Sequence, residues 1–200
     1  RTGSSAPAAS AVKRGRLRPL EGGRIALPPP DHRGRLPLEA CLAGRRSVRD
    51  YTGEALTLAE LGQLLWAAQG GSGLGAVDGA AAGLYEYDPD QHALAALWRG
   101  DKRKALAAAA FGQECVEQAA AAAVLASGYR RIVKELGERG RYLTHVEAGH
   151  AGQNWLLEAA ALGLGAIGLG RFEPDMTAEL LRLPEDEEPL YLLLAGRKAG

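Results

Sequence analysis

The densest group of chemically capable side chains is Arg45-Arg46-Ser47-Val48-Arg49-Asp50-Tyr51. Guanidiniums flanking a hydroxyl suit a phosphate together with a second electron-rich group, because arginine offers forked donors and keeps its charge at every relevant pH. A solvated basic loop is the plainer reading of the same residues. Further along, Glu147, His150 and Asn154 recur at i, i+3 and i+7, so one face of a helix carries them. A metal site is the sharper reading, but His145 and His150 point to different sides, and no H-E-x-x-H or cysteine pair supports it. Buried polar groups bonded to neighbouring backbone fit better. Gly163-Leu164-Gly165-Ala166-Ile167-Gly168 matches the dinucleotide fingerprint. That motif needs a strand before it and a helix after it. Here a helical pattern precedes it and Phe172-Glu173-Pro174 follows, so the glycines are expected to end a helix and let backbone approach a flat or bulky group. Cys41 and Cys115 read as small core residues, and Glu185–Glu188 as a solvated acidic loop. The absence of a G-x-S-x-G elbow leaves a serine hydrolase without support.

The chain that must position these groups has 200 residues, enough for one ordinary domain. Its 24 Lys+Arg balance its 24 Asp+Glu. That neutrality argues against nucleic acid or an anionic membrane as the main partner. At 46% hydrophobic and 24% charged, it has the composition of a globular protein. Two cysteines make no disulfide framework, so a reducing cytoplasm is expected. No apolar run has the length of a membrane span. The chain begins at Arg1, so the translated protein is expected to be longer. Residues 1–36, with the Ser4–Ala11 stretch, Pro28–Pro30 and scattered arginines, are expected to form a flexible Arg/Pro-rich arm, and residues 37–200 the folded domain. A nucleic-acid arm is the competing reading, but it lacks interleaved aromatics. A signal peptide lacks its apolar core.

Within 37–200, Leu38–Gly44 predicts a short helix. Thr57-Leu58-Ala59-Glu60 is a capping box opening a helix through Ala68, stopped by Gly70 and Gly71. Gly83–Tyr87 and Ala93–Trp98, joined at Asp88-Pro89-Asp90, predict a hairpin. Asp101 is expected to cap a helix reaching Phe111. Ala120–Ser127 predicts a strand against alanine's helical preference. A long helix over 142–162 follows, then strands at Gly165–Gly170 and Leu190–Ala195 around a helix at Met176–Leu183. Helices and strands mingle without strict alternation, which favours α+β.

In this order the segments resemble the FMN-dependent nitroreductase family, most closely its SagB-type dehydrogenase branch. The matching pieces are Arg45–Tyr51, Leu56–Leu61 leading to Leu64–Gly70, Gly83–Pro89, Gly100-Asp101, Glu147–Asn154 running into Ala161–Ala166, and Pro189–Arg197. The resemblance spans about residues 37–197. It implies a nitroreductase-like mixed sheet flanked by helices, an intertwined homodimer, and an FMN in each of two sites built from both subunits. NADH or NADPH would be the reductant, and the second substrate a small molecule or peptide. Carried over by motif, Arg45 and Ser47 would hold the FMN phosphate, Arg46 would be among the cofactor-binding residues, and Arg49 would sit at the pyrimidine edge of the ring system. Gly168, Leu169 and Gly170 would lay backbone against the flavin, and Arg197 would complete the phosphate site. The helix with Gln153 and Asn154 would be the dimer scaffold.

Two departures qualify the resemblance. Azoline-oxidising members of the branch carry a Lys-Tyr pair ahead of the long-helix motif, where this chain has Arg141-Tyr142. Arginine hardly deprotonates, so azoline oxidation is not what the pair predicts. Tyr142 becomes the candidate proton donor, with Arg141 beside it and a packing role as the alternative. Between Gly70 and Gly83 the family normally has a longer stretch, with a Pro-Ser flavin loop and a strand. The short Gly/Ala segment here is expected to lack a core strand, and a non-catalytic, flavin-deficient scaffold is therefore the rival function.

Overall fold

The computed structural model describes residues 18–69 and 72–200. One mixed sheet of eight strands organises it. The strands are β1 (Arg24–Ala26), β2 (Leu56–Thr57), β3 (Ser72–Asp78), β4 (Ala80–Asp88), β5 (Ala93–Arg99), β6 (Ala121–Gly128), β7 (Gly165–Leu169) and β8 (Glu187–Gly196). They lie in the order β1-β5-β4-β3-β6-β8-β7, with β2 pairing parallel to β3 and the other neighbours antiparallel. Among the described residues seven helices pack around it: α1 (Leu38–Gly44), α2 (Leu58–Ala68), α3 (Arg103–Ala109), α4 (Glu114–Gln118), α5 (Tyr129–Leu136), α6 (Glu138–Ala161) and α7 (Pro174–Leu181). The α+β class read from the sequence holds.

Alternation along β6 and β8 makes two cores. Ala121, Ala123, Leu125, Leu193 and Ala195 face α2 and α6, while Ala122, Val124, Leu192 and Leu194 face α3, α4 and α7. Both faces of β6 are buried, so its alanines serve a strand that helices must approach closely. On the first face Trp155 of α6 is fully buried, and its indole N–H donates to the Leu194 carbonyl at 3.2 Å. The capping box at α2 forms as expected: Thr57 Oγ1 accepts from Glu60 N at 3.2 Å, and Glu60 accepts from Thr57 N at 2.9 Å.

Several expectations are corrected. The Gly/Ala segment does not lack a core strand: β3 sits between β4 and β6 and pairs with both. Ladder bonds come from backbone, so a segment rich in glycine still fills a central position. Residues 1–17 of the expected arm, and the Gly70-Gly71 stop, lie outside the described residues. Within 18–36, β1 adds to the hairpin by pairing with β5, and Arg24 forms an ion pair with Asp88. Gln63 clamps Asp31, taking its N–H at 2.8 Å and donating to its carbonyl at 2.9 Å. Lys102 occupies the N-cap position of α3, but it is the Asp101 carboxylate that accepts from the first helical N–H, Arg103 N at 2.9 Å, while it also grips the Arg103 guanidinium. The long helix starts at Glu138, a turn earlier than its periodicity suggests, and α7 starts two residues early, with Pro174 at its first position. Helices α4 and α5 were not expected. Half of the acidic stretch, Glu187 and Glu188, belongs to β8. Among the described residues, no helix is long and apolar enough to cross a membrane.

Candidate functional site

Three segments remote in sequence meet at one corner of the sheet. After α1 ends, Arg45 N donating to Cys41 O at 2.9 Å, the chain turns alongside β7. Ser47 bridges Ala166 in parallel, and Val48 N donates to Ala166 O at 3.0 Å. A Cβ on Gly165 would fall 2.7 Å from Val48 Cγ1, so a glycine there is what lets the two backbones meet. Tyr51 then bridges Lys198, with Thr52 N donating to Arg197 O at 3.1 Å and Ala199 N to Asp50 O at 3.0 Å. Tyr51 is buried and donates to Val48 O at 2.8 Å. Burial pushes its phenol up, Cys115 and Asp50 add to the rise, and Arg49 pulls the other way.

The cations of this corner differ in what they touch. Arg45 is half-buried, and no ion pair or side-chain hydrogen bond engages it among the described residues. Ser47 and Arg49 are exposed. Arg46 bends back on α1, its Nη1 donating to Ala43 O and Arg45 O at 2.8 Å each, so it caps a helix C-terminus. Arg197 is bidentate to Glu60, at 2.7 and 2.9 Å. Burial opposes ionisation of Glu60, but the donors from Arg197 and Thr57 outweigh it and hold the carboxyl below its usual range. Glu60 was recognised in sequence only as a capping residue. Its second partner lies 137 positions away, and no local signal could have found it.

Gly168 and Leu169 lie in β7, and Gly170 follows it. The bulky group that Gly168 admits belongs to this chain: an added Cβ would fall 2.3 Å from Tyr191 Oη. Gly170 is open, with nothing within 4 Å of such a Cβ. The fingerprint glycines therefore run from a helix end into a strand, not from a strand into a helix.

Arg141 and Tyr142 lie elsewhere. Arg141 stacks on Tyr129 at 4.2 Å and lies 3.5 Å from Glu188 and 4.0 Å from Glu138. Tyr142 is 65% exposed. Glu188 is near the start of β8 and Arg197 just past its end, so the ten-residue strand puts on the order of 30 Å between Arg141 and the corner. Within one chain the structure brings together Arg45, Ser47, Arg197 and the β7 backbone, but not Arg141 and Tyr142. Beside Arg141, the buried Tyr129 hydroxyl lies 3.4 Å from His145 Nδ1. Burial, with the Glu188 charge, raises Tyr129 above the ordinary phenol. Glu147, His150 and Asn154 share a face as expected. They are exposed instead of buried, and line a cavity of about 610 Å³ with Thr144 and Ser127.

The comparisons with known proteins agree with one another. The nitroreductase family model matches residues 42–197. A nitroreductase-type protein of Methanocaldococcus jannaschii is 34% identical over 182 residues, covering 80% of this chain and 91% of that one. Among solved structures, a nitroreductase-type protein of Ralstonia eutropha superposes with a TM-score of 0.76 at 28% identity, covering 98% of both chains. One of Anabaena variabilis reaches a TM-score of 0.79 at 30% identity and covers 96% of this chain, which spans only 45% of that protein. The fold is nitroreductase-like.

Proposed function

The chain belongs to the nitroreductase family, and from that premise we propose that it is an FMN-dependent oxidoreductase with ping-pong kinetics, nearest to the SagB-type dehydrogenases. Bound FMN would supply hydride transfer between a nicotinamide cofactor, or an organic substrate, and a second acceptor. The observation that carries this reading is the corner itself. Arg45, unpaired among the described residues, and the exposed Ser47 hydroxyl lie on the segment that Ser47 bridges to β7, one segment away from Arg197. That donor set suits a phosphate: a forked cation, a neutral hydroxyl and a second guanidinium oriented by Glu60. Arg49, two residues on, would hold fixed positive charge at the electron-rich edge of the ring system, which favours hydride acceptance. Gly168, Leu169 and Gly170 would present backbone along the flavin. Arg46, spent on the α1 carbonyls, would add charge more than contact.

The distance of Tyr142 from the corner is consistent with the homodimer we propose, in which α6, with Gln153 and Asn154, is shared and the exposed Tyr142 serves the partner's site, while Arg141 stays paired within its own chain. Size-exclusion chromatography with light scattering should then give twice the chain mass. The flavin reading is tested by the absorbance spectrum of purified protein and by melting with and without FMN. Colourless protein whose melting point does not rise with FMN would sink it. The second reading, a flavin-deficient scaffold, is favoured by one observation: Glu60 already neutralises Arg197. The same melting experiment separates the two.

A further inference from the structure

On the sheet face opposite α6, a cavity of about 440 Å³ opens between α3, α7 and the β4–β5 hairpin. None of the corner residues lines it. Its floor is apolar, formed by Leu84, Ala109 and Leu180, with Met176 at the rim. Trp98 forms one wall and remains 36% exposed. Two cations share that ring: Lys102 Nζ lies 5.2 Å and Arg182 Cζ 4.5 Å from its centre. An aromatic face holds a cation in place without neutralising it, and neither cation has a carboxylate partner among the described residues. Glu179 also borders the cavity and offsets only one of the two charges.

Arg182 reaches this position from the C-cap of α7 in a left-handed backbone, φ 51°, where glycine or asparagine is the ordinary choice. The volume falls in the range of small-ligand pockets, which combine apolar walls with a few polar groups. An apolar floor beneath two fixed cations, with one carboxylate at the border to offset only one of them, fits an anion with a hydrocarbon body.

We propose that this groove binds an amphipathic monocarboxylate, its carboxylate meeting Lys102 and Arg182 and its hydrocarbon body resting on Leu84, Ala109 and Leu180. The site is separate from the flavin corner and stands whether or not that corner binds FMN. The probe is 2-naphthoate, with neutral 2-naphthamide as its matched body, titrated calorimetrically into the full chain in excess FMN. Naphthoate should bind roughly tenfold tighter than the amide, as expected when charge-assisted bonds replace neutral ones. Lys102→Gln and Arg182→Asn, the latter chosen because asparagine tolerates the left-handed turn, should each weaken naphthoate about threefold to tenfold and leave the amide unchanged. Arg45→Ala should change neither. Absent naphthoate binding, equal affinity for acid and amide, or binding lost in Arg45→Ala but kept in both groove variants would each overturn the proposal.

Discussion

The corner around Ser47 and the end of α6 around Arg141 are both rich in arginine, yet their charges are used differently. In the first turn of α6 Arg141 is internally satisfied: it is stacked on Tyr129 and faces Glu188 and Glu138. At the corner, Arg45 has no such partner among the described residues and Arg49 is exposed, while Arg46 is committed to backbone carbonyls and Arg197 to Glu60. An arginine whose donors are already spent stabilises its own fold. One held half-buried without a partner keeps its donors for something else. The contrast separates the candidate binding residues from the structural ones better than the density of positive charge in the sequence does.

The sharpest attempt to break this contrast is the double variant Arg45→Ala/Ser47→Ala. Removing two phosphate donors should weaken FMN binding about a hundredfold, each charge-assisted bond contributing about 1.5–3 kcal/mol. Fluorescence titration measures it, and unchanged affinity would dissolve the distinction. Next in size is Gly168→Ala. Its methyl has to displace the Tyr191 ring and should cost about 1–3 kcal/mol in urea unfolding, with Tyr191→Ala recovering part of the loss. A third test uses pH. Because the folded-state pKa of Glu60 is depressed, its contribution is present above the unfolded carboxylate value of about 4.3 and fades as pH falls through the folded one. Glu60→Gln should therefore flatten the acid limb of the melting-point profile while losing stability at neutral pH. The smallest effect is expected from Arg141→Gln. It should cost less than about 1 kcal/mol, since the pair is half-exposed, and should leave FMN affinity unchanged. An affinity loss as large as that of the corner variant would give Arg141 a direct share in holding FMN.

How far the sequence reveals this architecture depends on how local each cause is. Helix α1, the Thr57 capping box and the β4–β5 hairpin rest on neighbours in the chain, and they form within a few residues of where pattern places them. Strand β6 was readable only by setting alanine's helical preference against a continuous apolar run. The strands around it explain the outcome, since both of its faces are buried. β1 and β3 were missed because pairing, not side-chain pattern, makes them strands. At the candidate site, the Arg45–Tyr51 cluster is contiguous and therefore visible. The Glu60–Arg197 pair joins an early helix to the end of the last strand and is not. Gly168 was rightly singled out for close approach, but the group it approaches first is Tyr191 of the same chain.

The Ser47–Ala166 bridge also bears on solubility. β7 is the last strand of the sheet, and an exposed terminal strand offers unpaired backbone to any other extended chain, which is how edge-to-edge aggregation begins. Here the first residues of that edge are covered by the segment carrying Arg45, Ser47 and Arg49, and the strand itself is only five residues long. The stretch proposed to hold the cofactor thus doubles as an edge guard. Substitutions that peel it away from Ala166 should be recognised first as turbidity in concentrated samples, before any change in chemistry is measured.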